Sequence, residues 1–83
     1  MELQNVVKDF LLCLSPKEKE VLRLFIRLPN SPDIQPEVLK LHFTYGTWLK
    51  RVTNLVEAIR LKTEVSYDVI RLAILEELDK GPH

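Results

Sequence analysis

Leu14-Ser15-Pro16-Lys17-Glu18-Lys19-Glu20-Val21-Leu22-Arg23-Leu24-Phe25 holds a complete helix start followed by an apolar stripe. Ser15 can accept a hydrogen bond from the backbone three residues on. Pro16 suits the first helical position, where its missing N–H is not needed, and Glu18 completes the capping-box spacing. Val21, Leu22, Leu24, Phe25, Ile26 and Leu28 follow, leaving a narrow polar face of Glu20, Arg23 and Arg27. The prolines and Asn-Ser of Leu28-Pro29-Asn30-Ser31-Pro32 then end the helix.

Upstream, Leu3, Val6, Val7, Phe10 and Leu14 recur at helical spacing and predict a first helix that stops at Ser15-Pro16. Downstream, a short third helix starts between Asp33 and Pro36 and carries Val38, Leu39, Leu41 and Phe43. Thr44-Tyr45-Gly46 reads as its exit, with Gly46 in the left-handed cap conformation and Thr47 capping the next helix. In that fourth helix Trp48, Leu49, Val52, Leu55, Val56 and Ile59 make one apolar stripe, opposite Lys50, Arg51, Asn54 and Glu57. A fifth helix starts at Ser66, with Asp68 where a negative charge suits the helix dipole. Its Tyr67, Val69, Ile70, Leu72, Ala73, Ile74, Leu75 and Leu78 go almost all the way around, and a helix apolar on every side is buried on every side. The expected fold is all-α: a compact bundle of about five helices in a single domain over residues 1–83, with a C-terminal helix over about 66–79.

Only two glycines occur in 83 residues, too few for a turn-rich β protein, and 46% hydrophobic with 29% charged residues describes a folded domain. The formal net charge is zero, which argues against attachment to DNA through a uniformly basic surface. The charge is nonetheless uneven. Between Lys40 and Lys62, five bases (Lys40, Lys50, Arg51, Arg60, Lys62) face one acid (Glu57), a balance of +4. From Glu64 onward five acids and two bases give −3. The single cysteine, Cys13, suits a reducing compartment and reads as a small buried hydrophobe within Phe10-Leu11-Leu12-Cys13-Leu14. With no apolar run near the roughly 20 residues of a membrane span, and no basic stretch ahead of an apolar one at the start, the expected location is cytoplasmic and off the membrane.

The Leu14–Leu24 stretch resembles the opening helix of helix-turn-helix domains, where the pattern L-[S/T]-x-[K/R]-E-x-E-V-L-x-L begins a three-helix core in both LuxR-type and MarR-type regulators. The short helix over Glu37–Phe43, a tight turn holding Gly46 and a longer amphipathic helix follow in the order such a core needs, so the resemblance covers about residues 15–62. His42 departs from the pattern, standing where a small residue usually lets two helices approach. The resemblance implies that Thr47, Lys50, Arg51 and Asn54 form a DNA face on the fourth helix: Arg and Asn suit guanine and adenine edges in a duplex, and Lys50 suits a phosphate. Size and helical content are also similar to those of the small accessory subunits of crenarchaeal replicative B-family DNA polymerases.

Catalysis and metal binding lack an inventory. The two histidines are His42, isolated between Leu41 and Phe43, and His83, the final residue. Glu76-Glu77-x-Asp79 reads as a solvated helix end, and Gly46 alone makes no phosphate-binding loop. No cofactor or small-molecule substrate is evident. The expectation is a non-catalytic binding protein in DNA transactions, with duplex DNA on the fourth helix and a protein partner or a second copy on the fifth, through Tyr67, Ile70, Ile74, Leu75 and Leu78. The alternatives are an accessory subunit of a replication machine and an adaptor bundle with no nucleic-acid role.

Overall fold

Ser15 opens its helix as the capping pattern requires: its hydroxyl accepts the Glu18 backbone N–H at 3.1 Å. In the computed structural model, which describes residues 2–80, this helix is one of five: α1 (Leu3–Leu11), α2 (Pro16–Arg27), α3 (Ile34–Lys40), α4 (Tyr45–Thr63) and α5 (Tyr67–Lys80). The fold is an all-α bundle with no strand among the described residues.

The corner between α3 and α4 differs in detail from its sequence reading. Gly46 does not take the left-handed conformation. His42 does, at φ 66°. Its backbone N–H bonds the Leu39 carbonyl at 2.9 Å and the next N–H, that of Phe43, bonds the Val38 carbonyl at 3.4 Å. These two bonds are the Schellman pattern, with histidine in the place glycine usually fills. The following helix therefore starts three residues earlier than expected. Thr44 is its cap, accepting the Thr47 N–H at 3.2 Å, and Gly46 lies inside its first turn.

The core draws on every helix: Val6, Val7 and Leu11 from α1, Val21 and Leu22 from α2, Ile34 and Val38 from α3, Trp48 and Ile59 from α4, and Ile70, Ala73, Ile74 and Leu78 from α5. The T-shaped pair of Phe25 and Trp48, with centroids 5.3 Å apart, joins α2 to α4. Helix α5 packs on α1, α2 and α4, and this placement corrects the partner assignment. Ile70 and Ile74 are 0% exposed and Leu78 is 3% exposed inside the chain itself, so none of them offers surface to a partner. Leu75 is half-buried. Only Tyr67, Val69 and Leu72 leave large apolar area on this helix in solvent. A helix apolar on most sides needs several neighbours, and one chain supplies three here. The radius of gyration, 12.3 Å, is close to the ~12 Å expected for a closed single chain of this length.

Two further expectations are corrected. Cys13 is exposed, because α1 ends at Leu11 and the turn after it leaves Leu12 and Cys13 outward, while Leu14 comes back against the core. The acidic end of α5 is not simply solvated. The Glu77 side chain is 5% exposed between Lys8 and Lys80, each 3.8 Å from a carboxylate oxygen. Asp79 takes Arg23 Nε and Arg27 Nη2, both at 2.7 Å, and so ties α5 to α2.

Candidate nucleic-acid interface

The polar face of α4 is set by its anchors. Trp48 and Ile59 are buried near its two ends, which fixes the rotation of the helix and leaves Thr47, Lys50, Arg51 and Asn54 on one exposed flank. Residues three, four and seven apart share one face of a helix, so these four fall together. They line one open trough with Leu55 and Ala58 of the same helix. Phe10, Cys13 and Leu14, from the end of α1 and the turn after it, make the opposite wall, and Phe43 joins the lining as well. The four residues expected from the sequence are thus brought together. The apolar lining opposite them was not expected.

The cations of this region divide into two groups. Three are held by acids of the same chain: Lys40 by Glu37 at 3.0 Å, Arg51 by Glu18 at 3.1 Å, and Arg60 by Glu57 at 2.6 Å. Lys50 and Lys62 make no ion pair among the described residues. Glu37 and Glu18 come from outside the segment, so its +4 balance is halved where it folds. The Glu18–Arg51 pair has a particular cause. Glu18 spends only its backbone N–H on the Ser15 cap, and its carboxylate reaches across to α4 instead of closing the capping box. This holds the Arg51 guanidinium beside the trough, 5.7 Å from the centroid of the Phe43 ring. At the other end Lys62 Nζ stands 5.6 Å from the Phe10 ring centroid.

Thr47 is less free than Lys50 or Asn54. Its hydroxyl accepts the Thr44 hydroxyl at 2.8 Å, so its outward reach is shared with the cap. Phe10, Phe43 and Lys62 were missed by the sequence reading. Lys62 was legible, since it continues the Thr47, Arg51, Asn54, Ala58 face by another turn. Phe10 and Phe43 were not, because helical periodicity assigned both to the core and each is only half-buried.

A second cleft lies on the other flank of α4, where Leu49, Val52 and Val56 meet Phe25 and Ile26 of α2 and Tyr67 and Arg71 of α5. The stripe of α4 read as core is thus fully buried at Trp48 and Ile59 and only half-covered between them. At the end of this cleft the Tyr67 hydroxyl donates to Glu57 Oε2, and Arg60 clasps the same carboxylate through Nε and Nη2. These bonds, led by that from Arg60, hold the Glu57 carboxyl down at about 2.

Among the described residues no group of three or more His, Cys, Asp or Glu is placed to hold a metal ion. No helix there is long and apolar enough to cross a membrane. No protein-family model, curated protein or solved structure matches the chain.

Proposed function

We propose that this chain is a non-catalytic, helix-turn-helix-like binding module that acts in DNA transactions through the polar face of α4. The observation that carries the reading is the convergence of Thr47, Lys50, Arg51 and Asn54 on one open surface, directly after a four-residue corner between a seven-residue and a nineteen-residue helix. That order and those lengths suit a trihelical DNA-binding core. Lys50 supplies a phosphate contact, Arg51 is preset by Glu18, and Asn54 offers both a donor and an acceptor for a base edge.

The charge arithmetic makes binding modest. With Lys50 free of ion pairs among the described residues and Arg51 shared with Glu18, about one to two phosphates are neutralised, and the logarithm of affinity falls against the logarithm of salt with a slope between about −1 and −2. Such a module works alongside other DNA contacts in an assembly. The test is fluorescence anisotropy on a labelled fork oligonucleotide, which offers duplex and single strand together, titrated across salt. Lys50→Glu with Arg51→Glu is expected to abolish binding at low salt. Unchanged affinity in that double variant removes α4 as the DNA face.

The half-covered cleft at Leu49, Val52, Val56 and Tyr67 favours a second reading, an accessory subunit held to a replication machine by protein contact. Under that reading the fork does not bind at any salt concentration.

A further inference from the structure

We infer that the nucleic acid bound along α4 is single-stranded; this rests on the reading of α4 as the DNA face and specifies its ligand. To read a duplex, a helix must project into a major groove about 12 Å wide, and a helix with its side chains is itself about 10–12 Å across. The polar face of α4 does not project alone. It is one wall of a trough whose other wall is Phe10, Cys13 and Leu14, so a second element stands where the edge of the groove would have to pass.

A single strand asks for a different surface: cations spaced along a path for its phosphates, and flat apolar groups beside them for its bases. The trough has both. Lys50 and Lys62 are twelve positions apart on one helix, a path of about 18 Å. Neither makes an ion pair among the described residues, and Arg51 lies between them. Near each end of the path an aromatic ring stands beside a cation, Arg51 over Phe43 and Lys62 over Phe10. Each such pair offers a stacking group and a phosphate partner within one nucleotide's reach. The acid of α4 itself, Glu57, is engaged by Arg60, and Glu18 of α2 is engaged by Arg51, so a polyanion meets no uncompensated carboxylate on the α4 wall. On the facing wall Asp9 of α1, beside Phe10, makes no ion pair among the described residues.

The experiment compares three labelled probes against the full chain at about 50 mM salt: an oligo-dT of about 12 nucleotides, a blunt duplex of the same length, and an acidic amphipathic peptide of alternating Glu and Leu turns. The strand is expected to bind about tenfold or more tighter than the duplex. Lys62→Glu, two turns beyond the part of a recognition helix that meets base edges, is expected to weaken the strand about as much as Lys50→Glu does. Phe10→Leu, which keeps apolar volume and removes the ring, is expected to cost about fivefold or more. Lys19→Glu on α2, not part of the trough lining, leaves affinity unchanged. Duplex binding equal to or tighter than the strand, insensitive to Lys62→Glu, overturns the single-strand inference and leaves α4 as the DNA face. Binding of neither nucleic acid overturns both, and so does a peptide held more tightly than oligo-dT, which makes the trough a protein site.

Discussion

His42 sits in the left-handed region at φ 66°, where the Cβ of an L-residue crowds the following carbonyl at a cost of about 1–2 kcal/mol. Its imidazole is exposed, so no packing offsets that cost. His42→Gly removes the strain and gives back part of the gain as unfolded-state entropy, about 0.5–1 kcal/mol. The expected net is a stabilisation of about 0.5–1 kcal/mol, read as a rise in Tm of roughly 2–8 °C in a thermal melt. A lower Tm in the glycine variant would show that the imidazole makes a contact stabilising the corner. The position itself was visible in the sequence as the residue departing from the helix-turn-helix pattern. Its conformation was not, because glycine is the default for a left-handed cap and Gly46 stood only four residues away. Cys13 shows the same limit: residue type favoured burial, but where α1 stops decided exposure.

At the scale of elements, the two hydroxyl caps separate what propensity can show from what it cannot. Ser15-Pro16-x-Glu18 is a dense local signal, and α2 starts where it says. Thr44 and Thr47 are both acceptable caps by residue type, and choosing between them depends on whether the chain can turn at His42. The structure gives the cap to Thr44. Thr44→Ala is therefore expected to cost about 1 kcal/mol, while Thr47→Ala, inside the first turn, changes stability by a few tenths of that through the gain in helix propensity and the loss of one exposed hydroxyl bond. Urea denaturation of the two variants checks the order, and the reverse ranking would restore the later helix start. The apolar circumference of α5 was equally legible, and burial followed from it. Its occupants did not follow: α1, α2 and α4 surround the helix, so Ile70, Ile74 and Leu78 became core instead of a docking face. Counting apolar residues around one helix cannot tell neighbours in the same chain from neighbours in another.

Over the whole molecule, ion pairs within helices (Glu37–Lys40, Glu57–Arg60) and between them (Asp79 with Arg23 and Arg27) decide how the bundle responds to acid. Asp79 is held below its ordinary value of 3.8 first by the hydrogen bond from Arg27 and then by its charge and that of Arg23. Glu57 is lowered to about 2, first by Arg60 and then by the Tyr67 hydroxyl, and Glu37 is lowered chiefly by Lys40. A carboxylate whose folded value lies below its unfolded one stabilises the fold above the unfolded value, and that stability is lost as pH falls through the folded value. The contribution of these groups is therefore complete above about pH 5 and is lost between about 4.5 and 2. All three are solvent-screened, so the amplitude is modest and shrinks with added salt. Melts across that window are expected to show Tm falling as acid is added. Asp79→Asn with Glu57→Gln should have a lower Tm at neutral pH and a shallower fall, because the protons that would have broken these pairs then have nothing to titrate. The pairing that produces this acid response also lowers the net positive field of the Lys40–Lys62 segment. Releasing Arg60 by Glu57→Gln should therefore raise oligonucleotide affinity slightly while lowering stability. If both quantities fall together in that variant, Glu57 supports the trough by placing α4 and not only by masking its charge.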